Sequence, residues 1–173
     1  MWRDRFARIP AFVEGDVHAV IESPAGSRSK FKWDPALETF TLHKVLPAGM
    51  AFPLEFGFIP GTKGGDGDPL DALVLTDEPT FAGCLVRARL LGVMTAEQSA
   101  AGEEPVRNDR FLAVSAASRT YEQLRRVQDI SPRALADLEQ FFVHYNELEG
   151  KRFRVLGMLG PEAARSLVEA GQK

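Results

Sequence analysis

The sequence predicts an α+β fold built on a small closed β-barrel with helices at its C-terminal end. Two changes of pattern carry this expectation. The first two-thirds of the chain is broken into short runs of β-forming or alternating residues, and from Pro132 the apolar period lengthens to that of a helix. The length, 173 residues, suits one domain, spanning 1–173, with a core of its own.

Taken in order, residues 16–22 (DVHAVIE) have strand composition and stop at Ser23-Pro24-Ala25-Gly26. Residues 28–34 (RSKFKWD) alternate, with Arg28, Lys30 and Lys32 opposite Phe31 and Trp33. A turn at Asp34-Pro35 leads into 39–46 (TFTLHKVL), which puts Phe40 and Leu42 on one face. Residues 70–76, 84–94 and 110–115 continue the strand pattern. In the last third, Leu135, Leu138, Phe141, Phe142, Tyr145 and Leu148 recur at helical spacing, with Ser131 as N-cap, Pro132 in the first turn and Gly150 as the stop. Residues 151–158 return to strand, and Gly160-Pro161 opens a short final helix carrying Ala164, Leu167 and Val168.

Composition narrows the function classes. With 24 acidic against 21 basic residues the net charge is −3, which gives no general electrostatic reason to bind nucleic acid or anionic lipid, so neither is expected as a partner. The lone cysteine, Cys84, sits in an apolar run with Leu85 and Val86; it reads as a small buried hydrophobe and points to a reducing, cytoplasmic setting. The N-terminal stretch MWRDRFARIPAF lacks the continuous apolar core of a signal peptide. No stretch approaches the roughly 18 apolar residues of a membrane span, so a soluble protein is expected.

The most informative segment is Gly64-Gly65-Asp66-Gly67-Asp68-Pro69-Leu70-Asp71-Ala72-Leu73-Val74. Like charges this close raise one another's cost of ionisation, and Asp71 begins an apolar run in which an unpaired carboxylate is expensive. A divalent cation answers both problems, and hard oxygen donors without cysteine or paired histidines favour magnesium, manganese or calcium over zinc. Asp66 and Asp68 share a face of an extended segment, while Asp71 has the opposite parity unless Gly67 and Pro69 bend the path. A plain Asp-Gly surface turn with no ligand is the competing reading. An EF-hand fits worse, because Asp71 and Asp77 stand where its glycine and final glutamate belong. Lys63 is not in a P-loop, and no Gly-x-Ser-x-Gly elbow supports Ser-His-Asp chemistry.

Other polar positions have ordinary explanations. Glu22 and Lys30, on neighbouring strands, read as a cross-strand ion pair, and Tyr145, in the helical stripe, reads as core with a wet hydroxyl. His18, His43 and His144 show no metal-ligand spacing.

These residues together resemble a known family, the family I soluble inorganic pyrophosphatases. Asp66-Gly67-Asp68-Pro69-Leu70-Asp71 is similar to the family's Asp-x-Asp-Pro-x-Asp motif. Val20-Ile21-Glu22-Ser23-Pro24 resembles its glutamate-ended first strand, with Lys30 on its phosphate lysine. Phe52-Pro53-x-x-Phe56-Gly57-Phe58-Ile59 resembles its Tyr-Pro-x-x-Tyr-Gly-Tyr-Ile segment, and Phe141-Phe142-x-His144-Tyr145 with Leu148-Glu149 its C-terminal helix. The resemblance implies a five-stranded OB-like closed barrel with flanking C-terminal helices. It also implies hydrolysis of inorganic pyrophosphate to two phosphates by metal-activated water, with magnesium (or manganese) as cofactor, and a homo-oligomer, hexameric in bacterial members. By position it makes Asp66, Asp71 and Asn108 the metal residues, Asp68 the general base, Glu22 its support, and Lys30, Lys44, Arg110 and Tyr145 the substrate clamps.

Several positions depart from the family pattern. Lys32 stands at a metal-facing glutamate, Lys44 at an arginine, Phe52 and Phe56 at tyrosines, Asn108 at an aspartate, Arg110 at a lysine and Asn146 at a lysine. A one-residue shift would offer Asp109 in place of Asn108, although strand parity turns it to the other face. The alternatives to pyrophosphate hydrolysis are a hydrolase of another phosphoanhydride and a catalytically weakened metal- or phosphate-binding assembly protein on the same barrel.

Overall fold

The computed structural model describes residues 5–173; residues 1–4, the start of the stretch scanned for a leader, lie outside the described residues. The strands in chain order are β1 (Phe12–Val13), β2 (Asp16–Ser23), β3 (Ser29–Asp34), β4 (Thr39–Val45), β5 (Glu55–Phe58), β6 (Asp71–Leu75), β7 (Leu85–Ala100), β8 (Val106–Arg107), β9 (Arg110–Ser115) and β10 (Lys151–Leu159). Helix α1 (Pro132–Glu147) precedes β10 and α2 (Pro161–Gly171) follows it.

Five strands close a ring. β2 pairs with β5, β5 with β6, β6 with β9, β9 with β7, and β7 returns to β2. Closure leaves no free edge among these five, which bears out the OB-like barrel. All of these pairings are antiparallel except β6 with β9. β10 extends the sheet beyond β7, and β3–β4 form a separate hairpin.

Alternation sends the two faces of the strands to different cores. Ala72 and Val74 of β6 and Phe111 and Ala113 of β9 pack in one cluster with Ala164 and Val168 of α2. Leu73 and Leu112, on the opposite face, pack with Leu138, Phe142 and Tyr145 of α1. Helix α1 starts as its sequence dictates: Ser131 Oγ accepts from Ala134 N at 3.1 Å, and Pro132 follows, where a missing N–H costs nothing. Gly150, just beyond its end, has φ +70°, which suits glycine. Cys84 is half-buried against the first cluster.

Three elements differ from expectation. β5 was not read as a strand, because all four of its residues are buried and none alternates in polarity. β7 continues to Ala100, six residues past the expected stop, because β10 pairs with it as far as Lys151↔Ala100 and overrides the poor strand propensity of its small polar end. On the hairpin, the face expected to carry Phe40 and Leu42 is only partly covered: Phe40 packs against Trp33 and Phe6, but Leu42 remains 58% exposed.

Two glycines test backbone packing. A Cβ on Gly57 would lie 1.9 Å from the carbonyl oxygen of Val20, across the β2–β5 ladder. Gly67 has φ +89° but open space where a Cβ would go. Gly57→Ala is therefore expected to cost more than about 3 kcal/mol or to prevent folding, and Gly67→Ala about 1–2 kcal/mol from backbone strain alone. Denaturant unfolding of both variants checks the order.

Candidate active site

The acidic loop is held at both ends. Thr62, fully buried, donates its hydroxyl to Ile59 O at 2.6 Å and accepts from Leu70 N at 3.0 Å, while Lys63 N donates to Gly171 O at the end of α2. Between these anchors the chain turns on itself: Gly67 N bonds Gly64 O, Gly64 N bonds Asp68 O at 2.7 Å, and Asp68 N bonds Asp66 Oδ1 at 3.1 Å. The left-handed Gly67 supplies the bend that brings Asp71 to the same side as Asp66 and Asp68.

All three aspartates line one cleft of about 470 Å³, together with Glu22, Lys30, Lys32, Asn108, Arg110 and Tyr145. The turn is on the surface, with Asp66 and Asp68 exposed, but its carboxylates share a cleft with cationic and aromatic side chains. The cleft opens on the α1 side of the barrel, because Asp71 shares the parity of Leu73 and Arg110 that of Leu112. Lys44 stands at its edge, with its ammonium over the Tyr145 ring (4.2 Å to the centroid) and paired with Glu149. Asn108, not Asp109, faces the cleft; Asp109 turns away to accept from Ala96 N at 3.0 Å and Arg107 Nε at 2.7 Å.

Asp71 is not the unpaired buried acid that its neighbours suggested. The parallel register sets it directly opposite Arg110, whose Nη1 donates to its Oδ2 at 2.5 Å. The same nitrogen donates to Asn108 Oδ1 at 2.6 Å. Glu22 does not make the simple cross-strand ion pair with Lys30; its Oε1 accepts from Trp33 N at 2.9 Å. Lys30 lies instead against two rings, 5.6 Å from the centroid of Phe56 and 5.1 Å from that of Tyr145. The Tyr145 hydroxyl is buried with no hydrogen-bond partner.

Among the polar lining residues with no role assigned from the sequence are His43, Gln98, Asn146, Glu149 and Lys151. Gln98 lay beyond the expected end of its strand, and Lys151 was read only as the start of another. Asn146 was noted only as a replacement, yet it is 2% exposed and donates to Phe142 O at 2.8 Å.

The electrostatics are those of a crowded, partly dry site. Burial pushes Glu22 up to about 7, against the Trp33 hydrogen bond and with help from Asp71. Burial raises Asp66 and Asp71 as well, opposed at Asp66 by the bond from Asp68 N and at Asp71 by the Arg110 charge. Burial and the Lys44 charge lower Lys30. Burial and Glu149 push the Tyr145 phenol far up, so it stays a neutral donor. Burial acts to raise Glu149, but its bond to Lys44 and the charges of Lys44, Lys30 and Lys151 hold it below the usual range.

As they stand, no three Asp, Glu, His or Cys side chains among the described residues converge tightly enough to grip a metal ion. The donor chemistry nevertheless fits one hard divalent cation between Asp66 and Asp71, since its positive charge would oppose the effect of burial on both carboxylates.

The inorganic pyrophosphatase family model matches residues 19–173. The inorganic pyrophosphatase of Nostoc sp. (strain PCC 7120) is 36% identical over 168 residues, covering 96% of each chain. That of Geobacillus stearothermophilus is 36% identical over 159 residues, 92% of this chain and 93% of its own. Among solved structures, the inorganic pyrophosphatase of Thermus thermophilus superposes with a TM-score of 0.87 at 32% identity, covering 96% of this chain and 95% of that one. That of Coxiella burnetii gives 0.84 at 37%, with 94% and 97% covered.

The Glu22 shift has a consequence for stability. A carboxyl whose folded value is raised from 4.5 to about 7 binds its proton more tightly in the native state, so its contribution is full below about 4.5 and falls as pH rises toward 7. Glu22→Gln keeps an oxygen for Trp33 N and removes the charge. Relative to the parent, the variant is expected to gain about 3 kcal/mol between pH 4.5 and 8, read from urea midpoints in the presence of a chelator.

Proposed function

This chain belongs to the inorganic pyrophosphatase family, and we propose that it hydrolyses inorganic pyrophosphate to two phosphates in the cleft of Asp66, Asp68 and Asp71. The observation that supports this best is the juxtaposition, in one cleft, of three aspartates with a buried, unpartnered Tyr145 hydroxyl and the Lys30 ammonium beside it. A buried donor without a partner is costly, and an anionic oxygen is the natural acceptor for it.

The family depends on a divalent metal, and magnesium is the ion its hard oxygen donors favour here, with manganese as a substitute. Asp66 and Asp71 would hold it, with Asn108 at the rim of the same group. When bound, such an ion offsets the charge of pyrophosphate and acidifies water for attack. Asp68 is the general base: its side chain is 63% exposed, and so is free to meet a water molecule. Lys30 and the neutral Tyr145 hydroxyl bind phosphate oxygens, and Lys44, held over the Tyr145 ring, adds positive charge at the edge. Arg110 contributes chiefly through Asp71, which it orients and partly neutralises. Glu22, pinned by Trp33 N, fixes the strand from which Lys30 approaches and serves as a proton reservoir near neutrality.

No helix of the described residues is long and apolar enough to cross a membrane. A cytoplasmic homo-oligomer completes the reading; size-exclusion chromatography with light scattering tests the assembly.

Asp68→Asn is expected to lower phosphate release from magnesium pyrophosphate by at least about 100-fold. Folding should be untouched, because among the described residues the only ion pair it loses is the exposed one with Lys32 at 3.7 Å, which is worth little. Full activity in that variant would overturn the assigned base. Release of phosphate from nucleoside triphosphates in preference to pyrophosphate, by the parent protein, would overturn the substrate.

A further inference from the structure

Resting on the reading above, we propose that the Arg110 guanidinium is a resident cation that takes the place of a metal ion at Asp71, so that each chain holds a single divalent cation. The argument begins with donors and acceptors. A guanidinium carries only N–H donors. Its Nη1, bonded to Asp71 Oδ2 at 2.5 Å, also meets Asn108 at 2.6 Å, and this obliges Asn108 to turn its oxygen inward. The Asn108 amide nitrogen must then face outward, where it donates to Gln98 Oε1 at 2.7 Å. One cation therefore commits three oxygens in series: one of Asp71, that of Asn108 and that of Gln98. Each already accepts a hydrogen bond that a metal ion would have to share or displace.

The guanidinium is also fixed in place. Arg110 is 3% exposed, and its Cζ sits 4.9 Å from the ring centroid of Phe142 and 5.2 Å from that of Phe153. It does not swing aside as an exposed lysine would. Across the cleft Lys32 reaches within 3.7 Å of Asp68, adding a further positive charge among the carboxylates. What remains for a divalent ion is Asp66 and the second oxygen of Asp71, with Asp68 beside them to meet a water. That is a donor set for one ion, and a second would have to sit beside an immobile guanidinium and be held by committed amides.

Manganese serves as the probe, because its binding can be counted by electron paramagnetic resonance without substrate. The full-length parent is expected to bind one Mn2+ per chain. Arg110→Lys, which keeps the charge, should bind one as well. Arg110→Met frees Asp71, Asn108 and Gln98, and is expected to bind a second Mn2+ or to bind the first at least tenfold more tightly, with a larger rise in melting temperature on adding Mn2+ than the parent shows. Should Arg110→Met fail to fold, the double variant Gln98→Glu, Asn108→Asp adds two carboxylates to the same network and should raise the count to two. Two or more ions, or none, on the parent overturns the proposal. So does a folded Arg110→Met, or the double variant in its place, that leaves count and affinity unchanged. Phosphate release is read separately: pyrophosphate hydrolysis with two ions bound sinks this inference and leaves the activity, whereas one ion bound without turnover sinks the activity and leaves this inference.

Discussion

The parallel pairing of β6 with β9 is the constraint from which the site follows. It sets Asp71 in register with Arg110 at the mouths of two adjacent strands, where both side chains point to the face covered by α1. An acid and a guanidinium so placed have little choice: the guanidinium is buried and always charged, the acid is largely covered, and each is the nearest partner of the other. Removing either one would strand the other charge, a loss of about 3–5 kcal/mol for a buried pair. The barrel therefore fixes the electrostatics of the cleft before any ligand enters it.

The rest of the cleft is arranged around that pair by separate elements. Carboxylates come from the loop before β6 and from the end of β2, and cations from the β3–β4 hairpin, β9 and the start of β10. Because the hairpin is not part of the closed ring, the Lys30 and Lys32 wall is attached to the barrel by a few bonds, among them Phe31 N to Ser23 Oγ at 3.1 Å and Trp33 N to Glu22 Oε1 at 2.9 Å. Glu22 thus joins the two walls, and its own charge state decides how much negative potential Lys30 experiences. The aromatic face of α1 completes the enclosure: Phe142 supports Arg110 while Tyr145 supports Lys30 and Lys44.

Much of this was legible in the sequence, for reasons particular residues make plain. Helix α1 announced itself through Ser131, Pro132 and the apolar stripe, and the acidic loop through three aspartates among glycines; each is a local pattern with a local cause. The strand β5 was not legible, since Glu55, buried and satisfied by Ala25 N and by both the N–H and hydroxyl of Thr80, looks in sequence like a surface residue. Nor was Gln98, because the far end of β7 is held by pairing with β10, more than fifty residues away. The partner of Asp71 was hidden in the same way. Both residues were singled out from the sequence, one as a metal residue and one as a phosphate clamp, yet their contact depends on a register that no local pattern encodes.

The juxtaposition of charge has a chemical consequence beyond the Asp71–Arg110 pair. A free polyanion entering the cleft meets Asp66, Asp68 and Asp71 and is repelled, and a divalent cation held among those carboxylates would offset that repulsion. A ligand that carries both signs satisfies both walls at once, with its positive part against the aspartates and its anionic oxygens toward Lys30 and the Tyr145 hydroxyl. Pyrophosphate in complex with a divalent cation is such a ligand. The same division explains why Tyr145 is kept neutral by burial and Lys30 is held below its usual value: donors that are partly dehydrated before binding lose less water when an anion arrives, so their hydrogen bonds are stronger there than they would be in solution. Selectivity in this fold thus arises less from any single contact than from the separation of opposite charges, the aspartates at one mouth of the closed ring and Lys30 and Lys32 on the hairpin bonded to it.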